Sequence, residues 1–158
     1  MEIKTGYLYH IKDEFFDKIN SDSIMINHEN GHSRPSYLAI KEKNILWFIP
    51  LSSKVTKYKS IIEKKKKKYG HCRTILIKKI ADVEQVILIQ NAFPTLEKYV
   101  KNKHIIDGKE VKLSSSAQRE IINNFKYVLS LKESGLNLFF TDIDAIKEKM
   151  EEEISVGV

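Results

Sequence analysis

Short apolar runs separated by turn-forming residues fill the first half of the chain, a pattern typical of β-strands joined by loops. Residues 7–11 form the first run and predict a strand. Asp13 is placed to cap a short helix that ends near Ile19. Residues 27–35 are rich in turn formers and predict a loop.

The next two apolar runs, 37–41 and 45–49, are separated by three residues and predict a β-hairpin. The second run ends in Pro50-Leu51-Ser52-Ser53-Lys54, so a strand would bring two hydroxyls and an ammonium group to one place. Ser53 could also cap a helix from about Lys54 to Tyr69, with Gly70 supplying the left-handed residue that ends it.

The second half of the chain mixes strands and helices without strict βαβ alternation. The predicted elements are strands at 74–80 and 85–89 around Asp82, a short helix after Pro94, a tight hairpin turn at Asp107-Gly108, a long helix from Ser115 or Ser116 to Ser134, a strand at 138–140, and a final helix capped by Thr141. This order predicts one α+β domain over residues 1–158, built on an antiparallel sheet.

Basic residues are concentrated in one segment of the chain. The segment from Lys54 to Lys79 contains 11 lysines and arginines and one acid, whereas the rest of the chain has 16 basic and 20 acidic residues. A concentrated positive patch favours a polyanionic partner such as nucleic acid. A solvated, lysine-rich helix face explains the charge equally well by itself.

Other features of the sequence bear on compartment and exclude several chemistries. Cys72 is the only cysteine, and no segment resembles a signal peptide or a membrane span, so we expect a cytoplasmic protein without membrane association. Neither a glycine-rich phosphate loop nor a G-x-S-x-G elbow is present, which argues against nucleotide-triphosphate chemistry and serine hydrolysis.

One motif superficially suggests zinc. His28-Glu29-Asn30-Gly31-His32 matches the H-E-x-x-H pattern, which requires two histidines on one face of a helix. Gly31 and Pro35 make this segment a turn, and no third ligand is evident. We therefore predict neither a metal ion nor any other cofactor.

The residues at the predicted strand end suit metal-free cleavage of RNA. In that reaction the 2′-hydroxyl of the substrate attacks phosphorus, so the protein must stabilise charge on the phosphate oxygens and help the 5′-oxygen leave. Arg34 can grip a phosphate, and Lys54 can offer a proton or a charge. Ser52 and Ser53 can donate hydrogen bonds. Alternatively, Ser53 only caps a helix and Lys54 is solvated.

At these residues the chain resembles the toxins of type III toxin–antitoxin systems, most closely the CptIN branch, with ToxIN and AbiQ as more distant relatives. The segments that carry the resemblance are residues 6–12, Arg34-Pro35-Ser36-Tyr37, residues 47–54 with Lys57-Tyr58, residues 90–95 and residues 140–143. The resemblance implies a fold similar to the MazF and PemK/Kid toxins, a strongly twisted antiparallel sheet that is nearly a barrel and is flanked by helices.

The same resemblance implies a function. Such a protein would be a sequence-selective, metal-independent endoribonuclease that cleaves adenine-rich RNA, with cellular mRNA as substrate, and leaves a 2′,3′-cyclic phosphate and a 5′-hydroxyl. Its inhibitor would be a small, pseudoknot-like antitoxin RNA that the toxin cuts from a tandem-repeat transcript. Toxin and RNA would form a closed hetero-oligomer that acts in phage defence or in plasmid and chromosome maintenance.

Matching positions assign roles to individual residues. The resemblance gives active-site roles to Ser52 and Ser53, phosphate binding to Arg34, and the essential lysine to Lys54, with Lys57 as the alternative. The predicted RNA-binding residues are Tyr9, His32, Tyr37, Lys57, Lys64, Lys65, Lys66, Lys67, Lys68 and Arg73. A basic groove of this kind would hold the RNA backbone while splayed bases enter the site. A non-catalytic RNA-binding protein would use the same patch without needing the serines, Lys54 and Arg34.

Overall fold

Eleven strands and four α-helices occur in residues 1–157, the part of the chain that the computed structural model describes. The strands are β1 (Leu8–Ile11), β2 (His28–Glu29), β3 (His32–Ser33), β4 (Ser36–Glu42), β5 (Ile45–Ser52), β6 (Ile75–Ile80), β7 (Val83–Leu88), β8 (Phe93–Thr95), β9 (Val100–Lys103), β10 (Ile105–Ile106) and β11 (Lys109–Glu110). The helices are α1 (Asp13–Ile19), α2 (Val55–Tyr69), α3 (Ser115–Glu133) and α4 (Ile143–Val156). Two short 3-10 helices lie at Ile89–Asn91 and Glu97–Tyr99.

Seven of the strands form one antiparallel sheet in the order β6-β7-β5-β4-β1-β9, with β8 as a further partner of β5. Register shifts in β4 and between β1 and β9 mark bulges, which bend strands and increase their twist. Within residues 1–157 the end strands β6 and β9 do not pair with each other, so the sheet is open. The predicted α+β class, with an antiparallel sheet flanked by helices, is confirmed.

The main core lies on both faces of β5, whose eight residues are all buried. Trp47 and Phe48 are neighbours and therefore point to opposite faces of the sheet. Trp47 contacts Phe125 of α3 edge to face, whereas Phe48 stacks near Phe93, which also stacks on Phe15 of α1. Burial on both faces explains why the β5 sequence is apolar almost throughout and does not alternate.

A second, smaller core lies under the basic helix α2. Tyr58 of α2 packs with Ile75, Val86 and Leu88 of the β6–β7 hairpin. The helix ends at Gly70, whose φ of 84° is the left-handed conformation that the sequence predicts there. The hairpin and this short apolar contact therefore hold the lysine-rich helix with its polar surface open to solvent.

The observed helix caps differ from the predicted ones. Ser114 caps α3, one position before the predicted serines, and Asp142 rather than Thr141 caps α4. Neither Asp13 nor Ser53 caps a helix, because both side chains are hydrogen-bonded to other parts of the chain. A sequence shows which side chains can cap, but tertiary partners compete for the same oxygens.

Two strand predictions also need correction. Residues 138–140 form no strand, and the Phe140 amide donates instead to the Gln90 carbonyl at 2.7 Å. β5 does not stop at Pro50 but continues to Ser52, because Pro50 lies between the residues that pair with β8 and those that pair with β7. A proline without an amide hydrogen is tolerated where a strand changes partners.

Candidate active site

A two-stranded ribbon, β2–β3, lies across the end of β5. Its turn is Asn30-Gly31, with φ values of 55° and 80°, and Glu29 pairs directly with His32. The sequence analysis predicts only a loop here, although Asn-Gly is the signature of a two-residue hairpin turn. Directly paired residues lie on the same face of a ribbon, so the exposed His32 shares a face with Glu29.

Glu29 is the centre of the site, although in the sequence it stands out only as part of the H-E-x-x-H match. Its Oε1 accepts hydrogen bonds from the Ser53 amide at 2.8 Å and the Ser53 hydroxyl at 2.6 Å. Its Oε2 accepts from the Ser52 hydroxyl at 2.8 Å and from Arg34 Nη1 at 2.9 Å. Burial alone would raise the pKa of Glu29, but the bonds from Ser53, Ser52 and Arg34 outweigh burial and lower the pKa to about 2. Glu29 is therefore a carboxylate at neutral pH and acts as an acceptor only.

Arg34 ties the ribbon to the sheet. The residue is only 7% exposed, and its Nη1 also donates to the Leu51 carbonyl at 2.8 Å. Its Nε donates to the Ile26 carbonyl at 3.0 Å. Nε and Nη1 therefore donate all of their hydrogens within the protein, and Nη2 is the nitrogen that remains to contact a phosphate.

The two serines have different environments. Ser52 is 2% exposed, donates to Glu29 and accepts a hydrogen bond from the Lys54 amide at 3.1 Å. Ser53 is exposed, donates to Glu29 and accepts from Asn30 Nδ2 at 3.3 Å. Ser53 is therefore the serine that a substrate can reach, and its hydroxyl hydrogen is already donated to Glu29.

Lys54 and Lys57 stand at the start of α2, next to Ser53. Lys54 is the residue before the helix, its amide is held by Ser52, and Lys57 follows one helical turn later. Both side chains are exposed. The amino end of a helix carries a partial positive charge that adds to the two ammonium groups, so this corner favours an anion.

Two of the predicted RNA contacts are buried in the folded chain. Tyr9 and Tyr37 are each 1% exposed and belong to the main core. The Tyr9 hydroxyl bonds to the Lys4 backbone, and burial raises the pKa of Tyr37 to about 12. Leu8 pairs with Tyr37, so Tyr9 and Tyr37 lie on opposite faces of the sheet. Both faces are covered at these positions, so neither ring is open to stack on a base.

The lysines of α2 lie on different sides of the helix. The helical period of 3.6 residues places Lys57, Lys64 and Lys68 in one stripe, here called the outer stripe, which begins beside Lys54. Lys59 and Lys66 lie on the opposite flank, where Lys59 is paired with Glu84 at 3.2 Å. Three predicted RNA contacts lie outside both sets: the exposed Lys67, the half-buried Lys65, and Arg73, which lies 4.3 Å from the ring centre of Tyr127.

Lys65 is turned towards the protein. Its Nζ donates to Thr74 Oγ1 at 3.1 Å and to Gln90 Oε1 at 3.2 Å, and it lies 5.9 Å from the ring centre of Phe140. These contacts join α2 to the residue before β6, to the 3-10 helix after β7 and to the segment that follows α3. The prediction that Lys65 contacts RNA therefore competes with a structural role for the same ammonium group.

The H-E-x-x-H residues lie on the ribbon and not on a helix. His28 Nε2 bonds to Asp13 Oδ1 at 2.7 Å, and Glu29 is occupied by the serines and Arg34. Among residues 1–157, no group of three or more His, Cys, Asp or Glu side chains is placed to hold a metal ion. Over the same residues, no helix is long and apolar enough to cross a membrane.

A histidine pair lies on the other side of the ribbon. His10 Nε2 is 2.8 Å from His104 Nδ1, and His10 Nδ1 is 2.6 Å from Ser33 Oγ. Burial, followed by the charges of His104 and Lys101, lowers the pKa of His10 to about 4. The sequence does not reveal this cluster, because its residues are far apart in the chain.

We expect the histidine pair to make the fold sensitive to mild acid. The unfolded chain takes up a proton on His10 near pH 6.5, whereas the folded chain does so only near pH 4, so the free energy of unfolding decreases as pH falls through this window. Thermal unfolding at pH 7, 6 and 5 should show Tm falling, with a shallower fall in His10→Gln. Exposed His71→Gln is the matched control, and an unaltered slope in His10→Gln would contradict this prediction.

Solved structures with the same fold come from type III toxin–antitoxin systems. AbiQ, a lactococcal anti-phage endoribonuclease belonging to such a system, is similar with a TM-score of 0.73 and 16% identity, over 96% of this chain and 99% of AbiQ. A second structure, of a bacterial type III system in which a non-coding RNA pseudoknot selectively inhibits the toxin, gives a TM-score of 0.67 and 17% identity, over 94% of this chain and 98% of its own.

These comparisons define the class of fold. No protein-family model matches the sequence, and the comparison with curated proteins finds no match. The two structures cover nearly the whole chain, which therefore has the fold of type III toxins. They belong to the group that the sequence motifs resemble, so sequence and structure agree on the fold.

Proposed function

We propose that the chain is a metal-independent endoribonuclease and the toxin of a type III toxin–antitoxin system. The observation that supports this most is the corner at the end of β5, where exposed Ser53 and Lys54 adjoin the ion pair between half-buried Glu29 and buried Arg34. This corner occurs on a fold shared with an anti-phage endoribonuclease. The local excess of positive charge after Lys54 supports an RNA substrate.

The proposed reaction is an in-line transesterification. The 2′-oxygen bonds to phosphorus while the bond from phosphorus to the 5′-oxygen breaks, which gives a 2′,3′-cyclic phosphate and a 5′-hydroxyl. The 2′-hydroxyl proton passes to water, and Lys54 donates a proton to the departing 5′-oxygen. Arg34 Nη2 and the start of α2 stabilise charge on the phosphate oxygens.

Glu29 does not serve as the base in this proposal. A carboxylate with a pKa of about 2 is a weak proton acceptor, and both of its oxygens already accept hydrogen bonds. Ser52 holds the Lys54 amide from a buried position, so its contribution is to place Lys54. The proposed catalytic residues are therefore Arg34, Ser53 and Lys54, supported by Ser52.

The proposed partner is a small structured antitoxin RNA. A pseudoknot RNA inhibits the toxin of one structural neighbour, and the outer stripe of lysines leads away from the active-site corner. An RNA that follows this stripe would cover Ser53 and block the substrate. We further propose adenine-rich cellular mRNA as the substrate and a closed assembly of toxin and RNA as the inhibited state.

Expression without an antitoxin tests the proposed function. The intact chain should arrest growth and create new 5′-hydroxyl ends in cellular RNA, whereas Ser53→Ala should reduce cleavage by about five- to tenfold, the value of one lost hydrogen bond in the transition state. Mapping of RNA 5′ ends is the measurement, and exposed Ser60→Ala on α2 is the matched control.

Two other outcomes would change the assignment. Equal arrest and equal cuts with Ser53→Ala would remove Ser53 from catalysis. Arrest by the intact chain without new RNA ends would favour the alternative, a non-catalytic RNA-binding protein that uses the same basic surface.

A further inference from the structure

We infer that Glu29 is a positioning residue that makes Ser53 Oγ a hydrogen-bond acceptor for the 2′-hydroxyl of RNA. This inference rests on the proposed function and identifies the substrate group that Ser53 recognises. It replaces the expectation that the serines donate hydrogen bonds to a phosphate.

The first step concerns the hydroxyl hydrogen of Ser53. Ser53 Oγ lies 2.6 Å from Glu29 Oε1, and an ionised carboxylate has no hydrogen to give, so the hydroxyl must be the donor. The Ser53 amide donates to the same oxygen at 2.8 Å. Backbone and side chain are therefore held together, and the hydroxyl hydrogen points at Glu29 and away from solvent.

The second step concerns the lone pairs of the same oxygen. A hydroxyl can accept two hydrogen bonds, and Asn30 Nδ2 supplies one at 3.3 Å. Ser53 is exposed, so the second acceptor position is open to a ligand. The neighbouring Ser52 differs, because its hydrogen goes to Glu29 and the Lys54 amide donates to its oxygen in the buried interior.

The third step identifies the ligand group. An open acceptor requires a donor, and the phosphodiester of RNA has none at neutral pH. The 2′-hydroxyl is a donor, lies next to the scissile phosphate and is absent from DNA. A Ser53 oxygen that accepts from it would orient the nucleophile and would select RNA over DNA at the position that is cut.

The experiment measures binding without cleavage. A short RNA that spans a mapped cleavage site is compared with the same oligonucleotide carrying 2′-fluorine, which cannot donate, at the scissile nucleotide. The protein background is Lys54→Ala, so that the natural RNA stays intact. We expect the natural RNA to bind roughly fivefold more tightly, as one hydrogen bond allows.

Variants then assign the preference to Ser53 and Glu29. The preference is the ratio of the affinity for the natural RNA to that for the 2′-fluoro RNA. Ser53→Ala in the same background should lower this ratio to about one, and Ser53→Thr, which keeps a hydroxyl, should retain the preference. Glu29→Gln should also abolish the preference. An amide has one acceptor oxygen, so it cannot accept from Arg34, Ser52 and Ser53 together, and the Ser53 hydroxyl hydrogen is no longer held in place. Exposed Glu148→Gln, which removes the same charge on α4, should bind as the background does. Tm is measured for each variant. If Glu29→Gln does not fold, Glu29→Asp replaces it, because its side chain is one methylene shorter and withdraws the acceptor from Ser53, so that it too should lower the preference.

The outcomes separate this inference from the proposed function. A preference that survives Ser53→Ala, or that is missing from the background itself, would overturn the acceptor role of Ser53 while leaving the nuclease intact. A preference unaltered in a folded Glu29 variant would overturn the positioning role of Glu29. If the intact protein cleaves no RNA, both the proposed function and this inference fail.

Discussion

Lys54→Ala is expected to lower the rate of RNA cleavage by about 100- to 10,000-fold, the range typical of losing a general acid. Lys54 follows Ser53 directly, and its amide is fixed by the buried hydroxyl of Ser52, the last residue of β5, so its position relative to the site is set by the end of this strand. Lys57 lies a helical turn further on and has no such bond from the site. Lys57→Ala should therefore slow cleavage by less than about tenfold.

Single-turnover cleavage of an adenine-rich RNA at saturating protein is the appropriate measurement, because it separates chemistry from binding. Lys54→Arg is an informative companion, since it keeps the charge and removes a readily transferred proton. If Lys57→Ala caused the large loss and Lys54→Ala the small one, the assignment of the two lysines would be reversed.

The outer stripe of α2 should supply most of the salt-dependent RNA affinity. Changing Lys57, Lys64 and Lys68 together to glutamine removes three charges that begin at the active-site corner. For single-stranded RNA, the loss of three phosphate contacts should reduce the slope of log affinity against log salt by about 2. The measurement is titration of a single-stranded adenine-rich RNA in a Ser53→Ala background at several salt concentrations.

The matched control changes Lys59, Lys66 and Lys79 to glutamine. This variant removes the same charge from α2 and the neighbouring strand β6. Lys59 is already paired with Glu84, and Lys59 and Lys66 lie on the flank of the helix opposite the outer stripe. We expect the slope of log affinity against log salt for this control to differ from that of the parent by less than about 0.7, the value of one phosphate contact on single-stranded RNA. Equal losses in both triple variants would show that RNA responds to total charge and not to the outer stripe.

Much of the fold could be predicted from local pattern. Gly70 ends α2 and Asp107-Gly108 turns the β10–β11 hairpin because both need positive φ, which is a property of a few residue types. β8 could not be predicted in this way, since Pro94 argues against a strand and only its pairing with Trp47 makes it one.

The candidate site was predictable only in part. Ser53 and Lys54 are adjacent in the chain, so any strand that ends there places them together. Glu29 is 24 residues away from Ser53, and its role depends on how the β2–β3 ribbon crosses β5. The Asn30-Gly31 turn was the available signal for that ribbon, but it does not show where the ribbon will lie.

By itself, the sequence determined the class of fold, the basic segment after Lys54 and the convergence of hydroxyls with an ammonium group at the end of β5, because each depends on neighbours in the chain. The tertiary structure alone shows that Tyr9 and Tyr37 are buried, that Lys65 of α2 is turned towards the protein, and that Glu29 holds both serines. The physical reason is that burial and hydrogen-bond partnership depend on which surfaces meet, and distant segments compete for the same donors and acceptors.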